Sequence, residues 1–153
     1  MPLLAGDKAP WFGGKCYQSG RYLDLCLDDL AGSWILLFFY PLDFEHIAPS
    51  ELLELERRRP RLEPIGCRIV AVSRDGVLAH AAFAAMAPVN AGVSGIRFPL
   101  LEDPTGRIAE AYGMLMPDGG VTFRGCCIID PEGIVRGRTI SDLPVALDIK
   151  VTG

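Results

Sequence analysis

Two unbroken apolar runs organise the chain. SWILLFFY over 33–40 and CRIVAVS over 67–73 are rich in β-branched and aromatic residues and carry no polar alternation. Such runs predict central strands covered on both faces. Two later runs, VTFRGCCIID over 121–130 and GIVRGRTI over 133–140, flank Pro131-Glu132-Gly133, a turn triplet suited to a hairpin. Helical spacing fills the intervals. Pro49 to Arg59 opens on a proline, tolerated in a first turn because its missing N–H would have no partner there. GVLAHAAFAAMA over 76–87 has high helix propensity. In EDPTGRIAEAYG over 102–113, Asp103 can cap, Pro104 can start and Gly113 can end a helix. Strand, helix, strand, helix and a late hairpin describe a mixed α/β sandwich. No repeat, linker or low-complexity tract interrupts it, so residues 1–153 are expected to form a single domain.

Composition narrows the function classes. A net charge of −4 with no basic tract argues against nucleic acid and anionic membranes as partners, since both demand clustered Lys and Arg. The one basic cluster, Arg57-Arg58-Arg59, follows Glu54 and Glu56 and reads as a solvated helix face. MPLLAGDKAP has neither the charged nor the apolar region of a secretory signal, and no apolar run approaches a bilayer span. Five cysteines at irregular spacings (16, 26, 67, 126, 127) suit reduced thiols and a cytoplasmic location. With no C-x-x-C and only two histidines, His46 and His80, neither a metal nor another cofactor is expected. His80 is expected to be packed or hydrogen-bonded, Trp11 and Trp34 to be core aromatics, and PDGG over 117–120 to be a turn.

Chemistry in an α/β protein gathers at the carboxyl ends of its strands. Here that junction is FFYPLDFEHIAPSEL over 38–52, and the residues arriving there are Glu45, His46, Ile47 and Ala48. None is an obvious nucleophile.

LFFYPLDF, PSE, GCRIVAVSRD, RFPLLEDPTGRIAEAYG and GGVTFRGCCIIDPEGIVR, in this order and spacing, resemble the typical 2-Cys peroxiredoxins of the alkyl hydroperoxide reductase C type. GDKAPWF near the start and TISDLPV near the end extend the likeness to almost the whole chain. The resemblance implies a thioredoxin-like fold, a central mixed sheet flanked by helices, and a tendency to form dimers or rings of dimers. It also implies a thiol-dependent peroxidase, whose loop reads Pro-x-x-x-Thr-x-x-Cys with the cysteine attacking the peroxide bond. Laid on this chain, Pro41 matches the proline, Glu45 the threonine and Ala48 the peroxidatic cysteine. Glu51 matches the family's glutamate and Arg124 its pocket arginine. Counting from Ala48 to Cys67 reproduces the family spacing, so a shifted register does not rescue the cysteine.

The resemblance therefore implies a vestigial pocket. Alanine cannot form the sulfenic acid on which thiol peroxidases depend. The family's resolving cysteine lies in a C-terminal tail, whereas this sequence stops at Gly153, so a fold truncated at its C-terminus is expected. Without a thiolate, Arg124 would be left as an orphan cation, and Glu45 is expected to replace the lost sulfur as its counter-ion. Pro60 and Pro64 fall where the family has an uninterrupted helix, which should end early or bend. The leading reading is a pseudoenzyme that binds, scaffolds or regulates, self-associating into a homodimer or larger oligomer through edge strand 133–140. The alternative is an active peroxidase working through another thiol. Cys126, which alternation places on the face of Arg124, is the best candidate, although Cys126 and Cys127 equally suit core filling. Cys67 is expected in the core, and Cys16 and Cys26 beside a glycine-rich turn, partly exposed.

Overall fold

The structure, a computed structural model, describes residues 3–44, 47–117, 120 and 122–141. Its centre is a seven-stranded mixed sheet, counted among the described residues, in the order β2-β1-β5-β4-β3-β6-β7. The strands are β1 (Gly13–Gln18), β2 (Arg21–Cys26), β3 (Trp34–Phe39), β4 (Cys67–Ser73), β5 (Leu100–Glu102), β6 (Arg124–Ile129) and β7 (Val135–Ser141). β3, β4 and β5 run parallel, and the other pairings are antiparallel. Among the described residues three α-helices flank the sheet: α1 (Ala48–Leu62), α2 (Val77–Ala85) and α3 (Arg107–Ala111).

Strand alternation divides the core in two. Ile35, Leu37 and Phe39 of β3 point to the α3 side, where they meet Val70, Ile108, Tyr112, Cys127 and Ile129. Leu36, Phe38 and Tyr40 point to the α1 and α2 side, against Leu52, Leu55, Leu62 and Phe83. Both faces of β3 are thus buried, which is why its sequence shows no polar alternation. Each fully buried leucine of α1 contributes about 2 kcal/mol relative to exposure.

Four expectations need correction. α1 does not end before Pro60. It runs through it to Leu62, with Pro64 placed in the 3-10 turn that follows. So close to the C-terminus, proline removes one ladder bond while Leu62 still packs into the core, and the chain leaves the turn at left-handed Gly66. α3 starts at Arg107 rather than at Pro104. Asp103 does cap it, but across a turn, its carboxylate accepting the N–H groups of Ile108 at 3.1 Å and Ala109 at 2.9 Å. Trp11 and Trp34 are not core residues, being 62% and 37% exposed. Trp34 is the first residue of β3 and lies past the cover of the helices. Cys16 is buried rather than partly exposed, because it sits inside β1.

β1, β2 and β5 were not expected. The first two form a hairpin whose turn, Ser19-Gly20, has positive φ at both residues, 49° and 86°. Their sequences, GGKCYQ and RYLDLC, show no clear alternation, and β2 is an outer strand with its residues largely exposed. β5 is three residues long, too short to show any periodicity. The late hairpin forms as β6 and β7, shorter than the runs 121–130 and 133–140, and β7 occupies the other sheet edge. The absence of a covering helix after 133–140 concerns positions outside the described residues.

Candidate functional site

The parallel strands β3 and β4 end together, and the chain leaves β3 through Tyr40, whose N–H donates to Val72 O at 3.1 Å. Thr122 Oγ1 donates to Tyr40 O at 2.6 Å, fixing this exit from the β6 side. Pro41 is buried. Beneath the loop lies a polar cluster almost closed to water: Tyr40 and His80 are fully buried and Asp43 is nearly so. Tyr40 Oη donates to Asp43 Oδ1 at 2.6 Å, and His80 Nδ1 lies 2.8 Å from Asp43 Oδ2. His80 Nε2 reaches Leu101 O at 3.1 Å. A carbonyl can only accept, so Nε2 donates to Leu101 O and Nδ1 faces Asp43 Oδ2. Burial, then the Asp43 charge, raises the Tyr40 hydroxyl pKa well above its ordinary value, so it stays a donor.

A second tie holds the loop to β4. Asp75 Oδ2 accepts the Asp43 N–H at 2.7 Å and the Ser73 hydroxyl at 2.9 Å. Phe44 takes a left-handed φ of 61°, unusual for an aromatic residue, and its ring lies 4.9 Å from that of Phe83. Backbone held in a sparsely populated region needs such over-determined surroundings to persist.

From this loop α1 begins at Ala48, which is fully buried, with Pro49 next. One turn on, Glu51 faces the sheet. Its Oε1 accepts from Nη1 of Arg124, the first residue of β6. Arg124 is fully buried and Glu51 is 5% exposed. Desolvation pulls the guanidinium pKa below its ordinary value. Gly125 follows because nothing larger fits: a Cβ there would stand 2.5 Å from Thr139 O and 2.6 Å from Met114 Sδ. Pro41, Ala48, Glu51 and Arg124 are therefore gathered at the carboxyl ends of β3 and β4 and the amino end of α1. Arg124 is not an orphan. Glu51 supplies one carboxylate, and the expected pairing with Glu45 falls on a position that is not described. Glu45 and His46 themselves lie outside the described residues, as do Asp118 and Gly119 of the 117–120 turn.

The thiols are unevenly placed. Cys126 is half-buried on the α1 side of β6, with Sγ 3.2 Å from Thr139 Oγ1. Burial raises its pKa. Cys127 is buried on the α3 side, its thiol pushed up to about 12 by burial and then by Cys126. Cys16 is pushed up to about 11 by burial, then by Asp24, and Cys67, only half-buried, is raised by desolvation. A thiol that resists ionisation is a poor nucleophile. Among the described residues no group of three or more His, Cys, Asp and Glu could hold a metal, and no helix is long and apolar enough to cross a membrane.

The sequence marked Pro41, Ala48, Glu51 and Arg124 but not the Tyr40–Asp43–His80–Asp75 network that shapes the loop. A signal existed: Tyr40 and Asp43 both sit in YPLDF, where an acid amid apolar residues needs a partner once buried. Which distant residue supplies it is fixed only by the topology.

Comparison with known proteins agrees with this architecture. Residues 5–138 match the AhpC/TSA family. Peroxiredoxin tpx1 of Schizosaccharomyces pombe is 36% identical over 149 residues, covering 97% of this chain and 78% of that protein. The mitochondrial thioredoxin-dependent peroxide reductase of Homo sapiens is 36% identical over 144 residues, 94% of this chain but 56% of that protein. The reduced 2-Cys peroxiredoxin of Plasmodium vivax superposes with a TM-score of 0.92 at 27% identity, over 97% of this chain and 77% of that one. AhpC of Enterococcus faecalis gives a TM-score of 0.88 at 30% identity, over 97% of this chain and 86% of its own. By sequence and by its thioredoxin-like fold, the chain belongs to the AhpC/TSA family of peroxiredoxins.

Proposed function

We propose that this chain is a peroxiredoxin-type protein impaired as a thiol peroxidase, retained as a binding, scaffolding or regulatory pseudoenzyme. The observation that carries this reading is Ala48. It is fully buried at the amino end of α1, one turn from the Glu51–Arg124 pair. A peroxidatic thiolate would gain from that helix end and that guanidinium, because both favour a negative charge. A methyl group gains nothing from either and offers no electron pair to an O–O bond. The pocket's electrostatics serve structure instead, as a buried ion pair.

Pro41, Glu51 and Arg124 are the vestigial pocket in this reading, with Ala48 in the nucleophile's place. Cys126 is no substitute in this reading: burial raises its pKa by more than the hydrogen bond to Thr139 lowers it. The protein acts in the cytoplasm and pairs with a second copy through β7, a sheet edge on which Ile140 is 44% exposed. An exposed edge strand with an apolar residue is a ready template for pairing.

The test is to treat the purified protein with hydrogen peroxide and a sulfenic-acid trap, then map adducts by mass spectrometry. Slow labelling scattered over several cysteines is the expected result. Rapid labelling of one cysteine, Cys126 above all, would overturn the proposal.

A further inference from the structure

Two cavities open at the amino ends of β4 and β5, opposite the carboxyl ends where Ala48 lies. One, of about 130 Å³, is lined among others by Gln18, Arg59, Glu63, Arg68 and Arg97. Its neighbour, of about 330 Å³, is walled by Tyr17, Ser19, Gly20 and Arg97, with Phe98 common to both. Arg97 therefore stands between them.

The walls come from separate segments that are tied together. Gln18 Nε2 donates to Arg97 O at 2.9 Å, joining the β1–β2 hairpin to the segment before β5. The Arg97 N–H donates to Glu56 Oε1 at 2.7 Å, joining that segment to α1. The Arg97 backbone is thus clamped on both sides, and the residue lines both cavities. Arg59 is held by Glu56 at 2.9 Å and also bonds Glu63. Arg68 and Arg97 are different: both are exposed, and neither guanidinium meets a carboxylate among the described residues.

Three guanidinium groups against the carboxylates of Glu63 in the lining and Glu56 beside it leave one positive charge over on a protein of net charge −4. Two spare guanidiniums on one preformed cavity are what recognition of a multiply charged oxyanion requires, since each can grip a phosphate or carboxylate through two N–H groups. The Ser19 and Tyr17 hydroxyls add neutral hydrogen-bonding groups on the neighbouring wall.

We propose that the cavity between Arg68 and Arg97 binds a small polyanion carrying at least two phosphate or carboxylate groups, at a site separate from the pocket at Ala48. Phosphate and carboxylate sources share this chemistry and are distinguished by using pyrophosphate and citrate as separate probes. Isothermal titration calorimetry on the full chain at low ionic strength is the test. One-to-one saturable binding of at least one probe, with a Kd below about 1 mM, is expected. Arg97→Gln and Arg68→Gln, each verified as folded by circular dichroism, should weaken it at least about tenfold. Arg57→Gln, which removes a charge 77% exposed and paired with Glu54, should leave it unchanged. Absence of saturable binding for both probes overturns the proposal. So does equal weakening by Arg57→Gln, or full binding in both cavity variants.

Discussion

Ala48 and Glu51 sit three positions apart on one helix and carry opposite halves of the account. In the proposed reading Ala48 removes the chemistry, whereas Glu51 supplies a carboxylate to Arg124, a cation with no exposed surface. Buried ion pairs contribute little net stability, but breaking one by removing a single partner is costly. Glu51→Ala should therefore destabilise the fold by about 3 kcal/mol in chemical denaturation. A loss near zero would show that Arg124 does not depend on that carboxylate. Pro41, Ala48, Glu51 and Arg124 were singled out by the family resemblance, each by its match to a position in a short motif block. The pairing of Glu51 with Arg124 was not, since 73 positions separate them and only the β3–β6 register brings them together.

Among the elements, β3 and β4 announced themselves through continuous apolar runs, and their parallel register places the loop after Phe39 beside Ser73. β1 and β2 stayed hidden because β2 is an edge strand with little burial and β1 buries only Cys16 fully, too little to impose alternation, though Ser19-Gly20 was a usable turn signal. Pro60 shows a boundary drawn too early: α1 passes it and ends at Leu62, ahead of Pro64. The β6–β7 turn makes an element-level prediction. The Asp130 carboxylate accepts the N–H groups of Glu132 at 2.9 Å and Ile134 at 3.0 Å, and pairs with Arg136 Nε at 2.7 Å. The Ile134 N–H foremost, then the Arg136 side chain, holds its pKa below the ordinary carboxylate range. A depressed folded-state pKa gives stability that is present above the unfolded-state value, about 3.9, and is lost as pH falls through the lower folded value. Asp130→Asn should therefore be less stable at neutral pH and lose less stability on acidification, as read by thermal melts across an acid series. An unchanged acid limb would contradict this.

For the molecule as a whole, the sheet order leaves β2 and β7 as edges, and β7 is the one proposed to pair. Light scattering should give about twice the 16.6 kDa chain mass, and Ile140→Lys, a charge on the edge, should return the monomer. A native mass equal to one chain would remove the dimer from the proposal. The fold class followed from element order and from family resemblance together, whereas the network closing the loop around Asp43 needed the assembled sheet. The proposed function rests on a narrower base than the fold, on the one residue Ala48.

The most direct measurement is hydroperoxide consumption by the unmodified protein with an excess of small-molecule thiol, compared with the thiol alone. The account predicts no acceleration beyond that of ordinary unactivated cysteines. Rapid multiple turnover by the unaltered chain would contradict it.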